Sequence, residues 1–326
     1  MNKKIHWGIM GLGKIAHKFA QDLKLVDNAV ITAVGSRSMD KATDFASSYD
    51  AKNAYSSYEE LAQDPDVDII YIATPHSLHY ENTLLCLNHG KSALCEKPIA
   101  LNQEQAEEMA ALARSKNLFL MEGIWTRFIP ATHKLLELLE QKSIGDLHYL
   151  KADFGFIVNA PPESRLVDKN LGGGALLDIG IYPLYLSMLV LGNPIDIKAN
   201  AILAPNGIDQ FCSVIASFPN NTQAVMESSF ISNTPTEAFI YGSKGYIKMH
   251  RKFHQSEKLE LHLYESDTTQ IFELPIKGNG YVHEIEHVHE RLHANATQSD
   301  LLPLEMSLQL TRHLDRIKEL IGLKYT

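Results

Sequence analysis

Ile5-His-Trp-Gly-Ile-Met-Gly11-Leu-Gly13-Lys-Ile-Ala16 decides the fold of this chain. An apolar run enters a glycine turn, and a helical pattern leaves it. The first glycine permits the tight turn, the second lets backbone N–H groups approach a pyrophosphate, and Ala16 is the small residue needed where helix meets strand. Outward from this stretch, strands and helices keep alternating. A helix from about Lys14 is followed by a strand over Ala29 to Val34 and a helix over Asp40 to Ser48. A strand over Val67 to Ala73, a helix over Leu78 to Asn88, a strand over Ser92 to Cys95, a helix over Gln103 to Ser115 and a strand over Leu118 to Met121 continue it. That is the pattern of an α/β fold with a doubly wound parallel sheet.

Past Trp125 the texture changes. The pattern predicts a helix over Ala131 to Gln141 and a glycine-led helix from Gly172 to Leu191. Strand-like runs then follow one another at Ile195 to Leu203, Phe211 to Phe218, Gln223 to Phe230, Ala238 to Tyr241, Tyr246 to Met249, Leu259 to Tyr264 and Thr269 to Leu274. Short polar turns such as Pro219-Asn-Asn-Thr222 suit antiparallel neighbours. Helices over Val282 to Asn295 and Pro303 to Ile321 close the chain. A length of 326 residues exceeds what one core usually supports. The division is placed at residues 1–123, a dinucleotide-binding domain, and 124–326, a substrate-binding and dimerisation domain.

Composition excludes several classes of function. A formal net charge of -9 argues against a protein that neutralises a nucleic-acid backbone. Cys86, Cys95 and Cys212 are odd in number and widely spaced, which suggests neither a disulfide framework nor a zinc site and fits a cytoplasmic protein. Met1-Asn-Lys-Lys has the charge of an export signal, but the segment after it is short and broken by glycine. The uncharged run Ile179 to Asn193 contains Pro183 and falls short of the roughly 20 apolar residues that span a bilayer. No membrane partner is expected.

Gly11, Leu12, Gly13, Lys14 and Ile15 are the expected phosphate-binding turn. About 20 positions on, where an acid would bind a ribose 2′-hydroxyl, the chain reads Gly35-Ser36-Arg37-Ser38. A hydroxyl and a guanidinium suit a 2′-phosphate, so the expected cofactor is NADP(H), with NAD(H) as the alternative. Open α/β sheets place ligands at the carboxyl ends of their strands. Thr74, His76 and His79 stand at one such end, and Cys95-Glu96-Lys97-Pro98 at the next. Thr74, His76, His79, Glu96 and Lys97 are therefore assigned to cofactor contact, with a structural loop role as the alternative for His76 and His79. Proline after Lys97 favours an extended backbone there, which fixes the amine.

Asp178 and Tyr182, in Gly172-Gly-Gly-Ala-Leu-Leu-Asp178-Ile-Gly-Ile-Tyr182-Pro183, share one helix face by spacing. Taken together, these motifs resemble the glucose-fructose oxidoreductase and inositol dehydrogenase (Gfo/Idh/MocA) family. Glu122-Gly-Ile-Trp125-Thr-Arg127-Phe128 and Asp178 to Pro183 are similar to the branch containing dimeric trans-1,2-dihydrobenzene-1,2-diol dehydrogenases. The resemblance implies an N-terminal Rossmann domain and a C-terminal α/β domain with an open, mainly antiparallel sheet, often a subunit interface. It implies a homodimer, Lys97 and Tyr182 at the reacting oxygen, and Asp178 as orienting partner. Many relatives have histidine where this chain has Tyr182.

The chemistry of the residues agrees. Tyrosine has a reference pKa of about 10, and a neighbouring ammonium favours its phenolate. In the reverse direction a neutral phenol protonates a developing alkoxide while the ammonium stabilises its charge. Trp125, Phe154 and Tyr281 are candidate walls for a carbohydrate-like or diol substrate. Arg127 is assigned to cofactor or substrate. Two other classes compete. His283-Glu284-Ile285-Glu286-His287 matches the HExxH pattern of zinc proteases but has no clear third ligand. A non-catalytic NADP-binding sensor could use the same fold, although Lys97 and Tyr182 count against it.

Overall fold

A computed structural model describes residues 3–325; Met1 and Asn2, which open the segment weighed as an export signal, and Thr326 lie outside it. The chain forms β1 (Ile5–Met10), α1 (Lys14–Leu23), β2 (Ala29–Gly35), α2 (Met39–Tyr49), β3 (Asn53–Tyr55), α3 (Tyr58–Gln63), β4 (Ile69–Ile72), α4 (His79–Asn88), β5 (Ser92–Glu96), α5 (Gln103–Lys116) and β6 (Leu120–Gly123). These strands make one parallel sheet in the order β3-β2-β1-β4-β5-β6. Its central strands are largely apolar because helices cover both faces; all of β4, Ile-Ile-Tyr-Ile, is buried. Helix starts follow local chemistry. Ser38, Ser57 and Asn102 each accept a hydrogen bond from the backbone three residues on, at the starts of α2, α3 and α5.

The sequence pattern misses β3 and α3. β3 has three residues and α3 six, too short for a periodicity to register. A signal for α3 was nonetheless present: Ser57-Tyr-Glu-Glu60 has the spacing of a capping box.

The chain continues through α6 (Pro130–Glu140), β7 (Leu147–Gly155), α7 (Ile181–Leu191), β8 (Asp196–Leu203), β9 (Asp209–Phe218), β10 (Thr222–Ser229), β11 (Ala238–Gly242), β12 (Gly245–Met249), β13 (Lys258–Leu263) and β14 (Thr268–Glu273). Their eight-stranded sheet has the order β14-β13-β12-β11-β7-β10-β9-β8. It is mainly antiparallel, with β7 and β10 running parallel. β7 also escapes the sequence pattern: Leu150 and Ala152 are buried while Lys151 between them is exposed, an alternation too short to stand out beside the loop that follows.

Two helices follow, α8 (Tyr281–His293) and α9 (Leu304–Ile321). The chain divides into two compact units: residues up to Trp125 with Lys277–Thr311, and Thr126–Ile276 with the residues from Arg312. The single cut at 123/124 is thus corrected, since 277–311 return to the first unit. The physical reason lies on α1. The buried carboxylate of Asp22 accepts the backbone N–H groups of Asn279 and Tyr281, at 2.8 Å for the shorter Asn279 bond and 2.8 Å for Tyr281. It also accepts from the Asn279 side-chain amide, so it caps the start of α8. A sequence pattern carries no trace of a contact spanning that separation.

The expected helix from Gly172 is also revised. Gly172 and Gly174 have φ of 77° and 131°, and a π-helical turn covers Leu176–Gly180 before α7. Asp209 sets this geometry: its Oδ2 accepts from Leu176 N at 2.6 Å, and its Oδ1 would lie 2.3 Å from a Cβ on Gly174. Here the glycine run makes room for a buried carboxylate. The stretch Lys169–Leu191 is long and apolar enough to cross a membrane by length and composition, yet 83% of its 18-residue apolar window is buried inside the fold.

Candidate active site

Every strand of the parallel sheet delivers its following loop to one edge. At the end of β1, Gly11 has φ 86°, and a Cβ there would lie 2.9 Å from Ala73 C and Thr74 N. Gly13 precedes α1, and a Cβ on it would meet nothing within 4 Å. α1 has no side-chain cap and no acid in its first turn. Its leading N–H groups, at Lys14, Ile15 and Ala16, are therefore left without a capping side chain and with the helix dipole behind them, which fits a pyrophosphate. Leu12 is half-buried beside them. After β2, Ser36 is buried and accepts from Ser38 N, while Arg37 is exposed.

Thr74, His76 and His79 leave the end of β4. Thr74 and His76 are buried, and Thr74 Oγ1 accepts from Asn82 Nδ2 at 3.0 Å. His79 is tied into the backbone of this loop. Its ring is fully buried, with Nδ1 at 2.7 Å from Pro98 O and Nε2 at 2.8 Å from Thr74 O. Its ring thereby links the end of β4 to the segment that follows β5.

β5 delivers Glu96 and Lys97, and the Lys97–Pro98 peptide is cis. Glu96 accepts from the Tyr71 hydroxyl. On β6, Glu122 is 1% exposed, and its Oε1 accepts from Ile99 N at 2.8 Å. Glu284 on α8 is fully buried, and neither of its oxygens has a hydrogen-bond partner among the described residues. Burial raises the Glu122 carboxyl to about 7. Burial, then Glu96 and Glu122 nearby, hold Glu284 well above the usual carboxylate range. The sequence offers Glu122 within a motif and Glu284 within HExxH, but nothing in its pattern places either acid in this buried cluster.

Trp125 and Tyr281 pack with their rings tilted at 35° and centroids 4.7 Å apart, and Tyr281 meets Phe19 edge-on at 5.7 Å. Both expected wall residues of this unit are thus neighbours. Asp22, which fixes Tyr281, was not anticipated.

In the second unit Arg127 is buried in the turn Trp125–Arg127. Tyr182 and Asp178 are both buried. Asp178 Oδ1 accepts from Arg165 Nη1 at 2.9 Å. Tyr182 lies 5.0 Å from the His254 ring and 5.9 Å from Phe154, and Phe154 stacks on His254 at 4.4 Å. Phe154 and Tyr182 are therefore brought together around an unanticipated histidine. Arg165 lies in a loop and His254 in a single 3-10 turn, Phe253–Gln255, where no periodic signal reaches.

The first unit matches the model of an oxidoreductase family with an NAD-binding Rossmann fold over residues 5–124. The Gfo/Idh/MocA C-terminal domain matches over residues 132–248. The chain belongs to the Gfo/Idh/MocA oxidoreductase family. It is 36% identical over 332 residues to a trans-1,2-dihydrobenzene-1,2-diol dehydrogenase of Xenopus tropicalis, covering 98% of each chain. Identity to the Homo sapiens protein of that name is 34% over 334 residues, again with 98% of each covered. The fold is similar to an aldose-aldose oxidoreductase from Caulobacter crescentus complexed with glycerol (TM-score 0.89, 23% identity, 98% of each chain). It is also similar to a 3-ketoreductase from Actinomadura kijaniata in complex with NADP and TDP-benzene (TM-score 0.87, 25% identity, 97% of this chain and 98% of that one).

As a Gfo/Idh/MocA member the chain is an NAD(P)-dependent dehydrogenase or reductase acting on CH–OH groups. The HExxH residues of this family member hold structure. His283 Nε2 accepts from Lys277 N, His287 Nε2 pairs with Ser299 Oγ at 2.7 Å, and Glu284 is enclosed. Among the described residues no group of His, Cys, Asp and Glu could hold a metal ion.

Glu122 makes stability depend on pH. A glutamate releases its proton near 4.5 in the unfolded chain, but Glu122 in the folded protein holds it to about 7. Its contribution is therefore full at low pH and lost as pH rises through 7. Glu122→Gln is expected to flatten the dependence of Tm on pH between 4.5 and 7, measured by thermal melts; an unchanged slope would refute the assignment.

Proposed function

We propose that this protein transfers a hydride between NADP(H) and the hydroxyl or carbonyl carbon of a small carbohydrate-like, diol or dicarbonyl substrate. The observation that carries the reading is the uncapped start of α1, open above Gly13, on the same sheet edge from which β5 delivers Lys97. Gly11 to Ile15 hold the pyrophosphate, Ser36 and Arg37 take the 2′-phosphate, and Thr74, His76 and Glu96 line the way to the nicotinamide. Bound nicotinamide supplies or accepts the hydride.

Tyr182 moves the proton and Lys97 stabilises charge on the reacting oxygen. Asp178, ion-paired with Arg165, orients the proton carrier. Trp125, Tyr281 and Phe154 form substrate walls, and Arg127 contacts cofactor or substrate. Support for the substrate class comes from relatives named as trans-1,2-dihydrobenzene-1,2-diol dehydrogenases and from a structural neighbour named as an aldose-aldose oxidoreductase.

A homodimer through the open face of the eight-stranded sheet completes the proposal. Tyr149, Tyr241, Tyr246 and His262 are successive cross-strand partners on that face. Tyr149 stacks on Tyr241 at 4.5 Å and Tyr246 on His262 at 5.0 Å, with Tyr149 and Ile215 42% and 50% exposed. Such a patch suits a second copy of the chain.

Aldoses, polyols, dihydrodiols and dicarbonyls followed through nicotinamide absorbance test the activity. Lys97→Met and Tyr182→Phe are each expected to cut turnover by more than about tenfold with NADPH affinity retained. NADPH binding without turnover anywhere in the panel would favour a sensor instead. Arg37→Ala is expected to raise the KM for NADPH by about tenfold or more and leave that for NADH within about twofold. An unchanged ratio of the two would remove Arg37 from the cofactor site. Light scattering is expected to give twice the chain mass of 36.5 kDa, reduced to one chain by Tyr241→Arg; a monomeric native protein would overturn the dimer.

A further inference from the structure

The Pro98–Ile99 peptide, directly after the Lys97–Pro98 bond, is gripped at both of its polar atoms. Its carbonyl oxygen receives His79 Nδ1 at 2.7 Å, and its N–H donates to Glu122 Oε1 at 2.8 Å. The two side chains come from different elements, the start of α4 and the end of β6, and are 0% and 1% exposed. Neither contact follows from secondary structure, because Ile99 lies past the end of β5. Buried hydrogen bonds of this kind are costly to leave half-made, so the peptide has one favoured orientation.

The second nitrogen of His79 adds a further tie, 2.8 Å from Thr74 O at the end of β4. Both ring partners are carbonyl oxygens, which only accept, so the two bonds form together when both nitrogens carry hydrogen. Opposite it, Glu122 accepts through Oε1 in either protonation state. Residues beside Glu122 are Glu96 and Lys97 at the end of β5, Cys95 on β5, Glu284 on α8 and Ser307 on α9. Lys97 is thus the cation of this neighbourhood whose backbone is set by the gripped peptide.

We propose that His79 and Glu122 are positioning residues for Lys97, clamping the peptide that follows it so that the ammonium is presented in one place during the reaction. The inference rests on the role of Lys97 given above. A side chain that acts through Lys97 has no effect once Lys97 is removed, whereas one that merely stabilises the fold matters equally in both backgrounds.

Steady-state kinetics with NADPH and the best substrate of the panel test this, with NADPH fluorescence titration as the check on folding. Glu122→Leu is expected to lower kcat by about tenfold or more with NADPH affinity within about twofold, and Glu122→Gln, which keeps an acceptor, to stay within about threefold of wild type. In a Lys97→Met background, Glu122→Leu is expected to cost less than about twofold. If Glu122→Leu does not fold, His79→Gln, which can serve one carbonyl at a time, carries the same comparison in both backgrounds. Equal losses with and without Lys97, or a folded Glu122→Leu enzyme with normal kcat, overturn the clamp. Normal turnover in Lys97→Met itself overturns the role of Lys97, and the clamp falls with it.

Discussion

Parallel strand pairing is the constraint on which the cofactor side of this protein depends. Met10 aligns with Gly35 on one side and Ile72 on the other, Ile72 aligns with Cys95, and Glu96 with Gly123. Strands that run the same way in this register all finish along one line. Gly11, Ser36, Thr74 and Lys97 therefore leave the sheet side by side, although they are far apart in sequence. The order reverses at β1, between β2 and β4, which parts the loops and leaves room above the start of α1.

That edge is also where the first unit accepts polar burial. Glu122 and Glu284 lie inside it, Glu96 takes the Tyr71 hydroxyl, and His79 takes two carbonyls. Ionised acids grouped in a low dielectric repel one another and lose hydration, so they keep protons that exposed acids would release. The second unit uses the same physics differently. Asp209, raised to about 6 by burial, ties down the start of the π-helical turn and leaves no space for a side chain at Gly174. That turn carries Asp178, and α7 behind it carries Tyr182 and Pro183, whose missing N–H weakens helical bonding at that point.

The α/β class, the glycine turn and the succession of strands after Trp125 were legible because each rests on local periodicity or on a backbone conformation that glycine alone adopts easily. Lys97, Tyr182 and Asp178 were legible as motif residues. β3, α3 and β7 were not, because short or half-buried segments leave too few residues to establish a period.

The sequence by itself therefore determined the kind of fold and the kind of chemistry, since both are written in spacing and residue type. Tertiary structure alone decided that 277–311 fold back onto the first unit through Asp22, and that Asp178 pairs with Arg165. It also decided that His254 packs on Tyr182, and that His79 and Glu122 meet on a single peptide. Each of these joins residues from separate elements. Whether a histidine or glutamate is a solvated charge or a buried anchor depends on what packs around it, and that surrounding exists only once the chain has folded.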